Sequence, residues 1–369
     1  MSILESSSQP AVFIRVAETL AIAAAGGTAF GLLGVPAGWL SGSILAVAGA
    51  SLAGRPLLMP ALLMRIILVL IGISLGAVVT PATLHGMATY PLSIAVLVVA
   101  MLAVGATGAA YLRVVHGMDR ASAYLAAAPG GLSQVVGIAA EIGADLRAIA
   151  IVQTMRVVII AVGLPTGLAL FGLVGSGTRA RGGPFDPALL DELIILVAVC
   201  AVVAVVAYRV RFPGGLLFGA MLASATLHGT GWIHAVIPWW VANAAMVAMG
   251  AVTGSRFANT PLRLIANFVA AAFGSFAVAV GVVALFAVGL FSVLSLHVAD
   301  VMIAFAPGAV DAMMLLALAL HLDPVYVGAH HLVRILLVAT IMPLVARDGS
   351  PRKLPQASKA PSRRPPFQD

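Results

Sequence analysis

Residues 305–336 read FAPGAVDAMMLLALALHLDPVYVGAHHLVRIL. Nearly every position is apolar, yet the stretch is not a plain membrane rod. Pro307 lacks an amide donor and Gly308 loosens the backbone, so a helix arriving from the N-terminal side breaks there. Asp323 precedes a second apolar run and reads as its N-cap. Arg334 then falls about nine to eleven residues into that run, roughly 13–17 Å deep at 1.5 Å per residue. An arginine at that depth costs about 2.5–3.5 kcal/mol even on a lenient insertion scale, so it needs a carbonyl cluster, a carboxylate or an anionic ligand.

The surrounding chain has the composition of a polytopic membrane protein. Of its 369 residues, 62% are hydrophobic and 9% charged, where a soluble domain carries about 25% charge. A soluble enzyme or soluble DNA-binding factor is excluded on those grounds. Much of the net charge of +7 sits after Leu344, in a Pro- and Ser-rich basic tail expected to be disordered. The single cysteine, Cys200, allows neither an intrachain disulfide nor a cysteine metal cage. The first ten residues lack the basic n-region of a signal peptide and are expected to be disordered.

The 305–336 pattern occurs twice. VPAGWLSGSILA at 35–46 matches FPGGLLFGAMLA at 212–223 with an offset of 177, which becomes 178 and holds to the end. It pairs Ala128-Pro129-Gly130 with Ala306-Pro307-Gly308, Asp145 with Asp323, Arg156 with Arg334 and Pro165 with Pro343. The chain therefore divides into an N-terminal segment 1–10, a membrane repeat 11–174, a polar linker 175–188, a second repeat 189–346 and the tail 347–369. Twelve apolar segments can be drawn. If all twelve span, lysine and arginine outside the tail divide 7 to 5 between the two sides, and the repeats are parallel. If 121–146 and 299–323 enter and return on one side, the division becomes 10 to 2, as the positive-inside rule prefers. The expected fold is then all-α, with about ten spanning helices, two re-entrant broken hairpins and two inverted repeats, both termini being cytoplasmic.

Paired helix breaks at membrane depth line a cavity or are buried in protein, and in matched positions of two halves they point to a midplane site. The candidate solute-binding residues are Pro129, Gly130, Gly131, Ser133, Gln134 and Arg156 from the first half. From the second come Pro307, Gly308, Asp311, His331 and Arg334. Asp311 stands where Ser133 stands in the first half and could hold a proton or a sodium ion, or pair with an arginine. His331 aligns with Gln153, one turn before the arginine, and lines the same path. His330 and His331 point about 100° apart on a helix and cannot clasp a metal as an i, i+4 pair would. Gly72-x-x-x-Gly76 and Gly250-x-x-x-Gly254 read as packing faces.

AAPGGLSQVV at 127–136, residues 305–336 and PAGWLSGSILA at 36–46 together resemble the AbrB-duplication family of bacterial membrane proteins. The likeness covers nearly the whole chain outside the first ten residues and the tail. Members carry labels as transcriptional regulators or ammonia monooxygenases, and the resemblance implies a link to regulation of gene expression. It transfers no active site, and no copper-ligand cluster supports an enzyme. The residues themselves point to an inner-membrane secondary transporter for a small anionic solute. The expected partners are the lipid bilayer and that solute, without direct nucleic-acid binding. Homo-oligomerisation fits this class. No cofactor is expected beyond a coupling proton or sodium ion.

Overall fold

The computed structural model describes residues 9–79, 90–129, 135, 138–140, 142–174, 185–258 and 260–349. Among these it is helical, with no strand. The first half contains α1 (Gln9–Leu32), α2 (Gly38–Leu52), α3 (Ala61–Gly76), α4 (Tyr90–His116), α5 (Arg120–Ala127) and α6 (Leu146–Leu170). The second contains α7 (Leu190–Arg209), α8 (Gly215–Gly229), α9 (Trp239–Gly254), α10 (Leu262–Phe291), α11 (Val298–Phe305), α12 (Val310–Ala319) and α13 (Pro324–Gly349). Helix α1 thus begins inside the stretch read as a disordered N-terminus, and α13 carries three residues into the stretch read as tail.

Six helices are long and apolar enough to cross a bilayer: α1, α4, α6, α7, α10 and α13. Four more, α2, α3, α8 and α9, have only 15 or 16 residues, or about 22–24 Å of rise. Each buries one face against its neighbours. Contacts between elements recur at equivalent places. Helix α1 packs on α2 as α7 packs on α8; α2 packs on α9 as α8 packs on α3; α6 meets α10 as α13 meets α4. Helices α4 and α10, which occupy equivalent positions, pack on each other.

The glycine pairs explain the close approach of the short helices. A Cβ on Gly72 or Gly76 would run into the carbonyls of Leu217 and Met221 on α8. One on Gly250 or Gly254 would meet the carbonyls of Leu40 and Ile44 on α2, at 3.0 and 2.8 Å. These four carbonyls are themselves equivalent at the 177 offset. Small residues let backbones touch where hydrocarbon supplies no hydrophobic drive between helices.

Each of the two proline-containing segments brings its two ends together. Helices α5 and α11 have eight residues each, about 12 Å, which is less than half a bilayer. Near the mouth of the first, the amide of Asp145 donates to Ser122 Oγ at 2.9 Å, tying the start of α5 to the start of α6. At the second, the amide of Asp323 donates to Asp300 Oδ1 at 2.9 Å, tying the start of α11 to the start of α13. Ser122 and Asp300 are 178 residues apart. Entrance and exit of each segment are therefore neighbours, as expected from the charge count.

Candidate functional site

Each hairpin tip is held by an arginine from the helix that follows it. Helix α5 ends at Ala127, and Arg156 donates from Nη1 to Ala127 O at 3.0 Å and from Nη2 to Ala128 O at 2.7 Å. Helix α11 ends at Phe305, and Arg334 donates from Nη1 to Ala306 O and from Nη2 to Gly308 O, the latter at 2.7 Å. A helix that stops inside the membrane leaves carbonyls without intrahelical donors and a partial negative charge. The planar guanidinium fork reaches two main-chain carbonyls at or just beyond each helix end at once.

Both arginines are buried, Arg156 at 3% exposure and Arg334 at 0%. Neither touches a carboxylate among the described residues, and the Nε of each has no hydrogen-bond partner. The two proline-containing segments are neighbours in the fold. Helix α12 of the second hairpin packs on α6, and α13 packs on α5. Each half thus buries one arginine that has no carboxylate partner among the described residues and keeps an unpartnered Nε.

The other predicted residues fall as follows. Pro129 and Pro307 follow the ends of α5 and α11 and border two apolar clefts of about 290 and 350 Å3. The clefts lie at equivalent places: Tyr124, Leu337 and Val338 border one, and Met302, Ile159 and Ile160 the other. Gly308 supplies its carbonyl to Arg334, and its amide closes a tight turn on Ala306 O at 2.8 Å. Asp311 lies in the first turn of α12, partly exposed. The arginine whose charge reaches it is Arg256, which follows α9, not either tip arginine. Gln153 donates to Leu125 O at 2.7 Å. His331, its counterpart, stands against Ile303 O, yet neither ring nitrogen makes a hydrogen bond of normal geometry. Gly130, Gly131, Ser133 and Gln134 lie outside the described residues.

Asp145 and Asp323 are N-caps. Asp145 Oδ1 accepts from the amides of Arg147 and Ala148, and Asp323 Oδ1 from those of Val325 and Tyr326. Asp323 does more, because its Oδ2 also accepts from Tyr90 OH at 3.3 Å. Asp145→Ala should cost about 1 kcal/mol, the usual loss for a cap. Asp323→Ala should cost about 2 kcal/mol, since Tyr90 also loses its acceptor. Thermal unfolding of the detergent-solubilised protein checks the order, and equal losses would contradict the second role. Ser122, Tyr90 and Ser93 escaped sequence reading, and Asp300, a candidate carboxylate partner for the arginines, instead accepts from the Asp323 amide. The 178 offset pairs Ser122 with Asp300 and could have exposed that pair.

A family model described as "Transition state regulatory protein AbrB" matches residues 39–348. The chain belongs to the AbrB family. Two relatives match along most of their length. One is the Bacillus subtilis (strain 168) protein YhjN, 26% identical over 348 residues, spanning 88% of this chain and 90% of the relative. The other is the Escherichia coli (strain K12) protein named "Putative regulator AbrB", 25% identical over 323 residues, spanning 85% and 90%. The AbrB-family match begins in α2 and ends in α13, so it includes both hairpins and both arginines.

Proposed function

We propose that this AbrB-family protein is a secondary transporter for a small anionic solute, embedded in the inner membrane with both termini in the cytoplasm. The observation that carries this reading is the pair of buried arginines at the hairpin tips, each with an unpaired Nε and no carboxylate neighbour among the described residues. Burying unpaired charge is costly, and an anion seated between two guanidinium groups would offset that cost with charge-assisted hydrogen bonds. Helix breaks in matched positions of two halves are the usual setting of such a site. With ten crossings and two hairpins the halves are inverted, the tips reach in from opposite faces, and rocking of one unit against the other gives alternating access. The protein needs no cofactor in this scheme and performs no chemical conversion.

The test uses the full chain in proteoliposomes with radiolabelled acetate, succinate, citrate, phosphate and sulfate. At least one is expected to accumulate, and the double variant Arg156→Leu/Arg334→Leu to lose it. Accumulation that persists unchanged in the double variant would defeat the site assignment.

A second reading, a membrane-bound regulator of gene expression, is favoured by the names of the family model and of the Escherichia coli relative. The stretch from Arg347 onward is then the output element. Its removal would abolish regulation while sparing solute binding.

A further inference from the structure

The arginine struts, the aspartate caps and the mouth contacts occur in both halves. One buried cluster occurs in only one. Where α4 meets α13, Tyr90, Ser93, Tyr326 and His330 pack together, with the Tyr326 and His330 rings 4.1 Å apart. The equivalent positions at the 178 offset hold Phe268, Ala271, Ala148 and Val152. A hairpin with its arginine strut is therefore built in the first half without these polar groups, and packing alone does not call for them.

His330 is fully buried, at 0% exposure. Its Nδ1 lies 2.7 Å from Tyr326 O. A carbonyl only accepts, so Nδ1 carries a hydrogen. Its Nε2 lies 2.9 Å from Ser93 Oγ, and that same Oγ lies 3.1 Å from Tyr90 O. A hydroxyl has one hydrogen to give. Donated to Nε2, it leaves the imidazole neutral. Donated to Tyr90 O, it requires Nε2 to bring a hydrogen of its own, and the ring is then a cation. Both arrangements satisfy the two ring nitrogens and the hydroxyl, and no heavy atom has to move.

We propose that His330 is a proton-binding site and that the proton it takes is the coupling ion of this transporter. The second clause rests on the transporter reading above. The step is simple to balance: one proton from water ends on Nε2, the Ser93 hydroxyl turns to Tyr90 O, and the site gains one positive charge. The titratable and charged groups around it are Asp323 at the N-cap of α13, Tyr326, His331 and Arg334 on α13, Tyr90 on α4, and Asp300 on α11. An acidic mouth leads toward it, since Tyr90 OH meets Asp323 Oδ2 and Asp300 lies 3.7 Å from the exposed His297. Phe305, the last residue of α11, rests on the His330 ring with centroids 5.8 Å apart. Charge on His330 thus appears one helical turn from Arg334 and beside the tip that Arg334 holds. It strengthens the pull on an anion there, and by linkage the anion strengthens the hold on the proton.

The experiment is ring-15N histidine NMR of the full chain in nanodiscs, titrated from about pH 8 to about pH 4. The signal missing from His330→Gln is expected to pass from the neutral Nδ1–H pattern to the doubly protonated one. Ser93→Ala removes one oxygen atom and keeps the fold; it should displace the midpoint by about one pH unit, because the neutral and charged rings use that oxygen with different strength. A ring that stays neutral throughout, or a midpoint unmoved in Ser93→Ala, would overturn the site. In proteoliposomes, uptake of the accumulating anion should follow an imposed inward proton gradient, and His330→Gln should lose that dependence. Uptake driven by sodium instead would overturn the coupling clause. Titration without uptake of any anion would sink the transporter reading and leave the proton site standing; uptake without titration would sink the proton site alone.

Discussion

Gly254→Ala is expected to leave little folded protein, while Gly105→Ala leaves the yield unchanged or higher. The chemical change is the same one methyl group. At Gly254 its carbon would lie 2.8 Å from Ala48 N, from Ile44 O and from Val47 Cβ, so α9 must withdraw from α2 along the contact. Overfilling a packed interior costs about 1–3 kcal/mol and occasionally more. Backbone atoms cannot swing aside as a side chain would, which puts this site at the upper end. At Gly105 the methyl meets nothing within 4 Å. There the helix gains the usual advantage of alanine over glycine, about 1 kcal/mol. The two variants should therefore differ by about 3–4 kcal/mol, the sum of those two terms. Monodisperse yield after detergent extraction and the thermal midpoint report it. Equal midpoints would show that α2 and α9 are not in the contact described.

Arg334→Leu should damage function far more than folding. Two carbonyls, those of Ala306 and Gly308, lose charged donors, worth about 1.5–3 kcal/mol each. Against this, the interior no longer holds an arginine, which recovers about 2.5–3.5 kcal/mol. The balance is a net loss of about 0.5–2.5 kcal/mol, so the variant should insert and fold with a lowered midpoint. An anion bound at the tip has no such compensation. Truncating one partner of a buried, hydrogen-bonded charge pair costs about 2–5 kcal/mol, or a loss of affinity between about thirtyfold and several thousandfold. Binding of the accumulating anion, measured by isothermal calorimetry on the folded variant, gives the answer. Affinity within threefold of the parent would mean that Arg334 serves only as a strut.

Much of this molecule could be read before its coordinates. Rare residues such as Pro129, Asp145 and Arg156 keep a constant offset to Pro307, Asp323 and Arg334, and the aspartate and arginine pairs make matching contacts in the structure. The hairpins were legible because an Ala-Pro-Gly break leaves flanking runs too short to cross, and because arginine must face one side. What occupies the guanidinium groups was not legible. Their partners are main-chain carbonyls of Ala127, Ala128, Ala306 and Gly308, and a carbonyl has no letter in a sequence. Asp311 was open for a similar reason, since its electrostatic neighbour Arg256 comes from a connecting stretch after α9 and not from a membrane helix. His330 was set aside because adjacency to His331 rules out a shared metal. Its actual partners, Ser93 and the carbonyl of Tyr326, come from a helix some 240 residues away and from its own preceding turn.

The reciprocal crossing of α2 with α9 and of α8 with α3 bears on what the word "half" means here. Each copy keeps its glycine ridge for a helix of the other copy, and neither ridge is covered from within its own 160-odd residues. The stretch 175–188 lies between two parts of the chain that pack into each other's glycine faces. The packing of either glycine face therefore depends on residues from both sides of the linker.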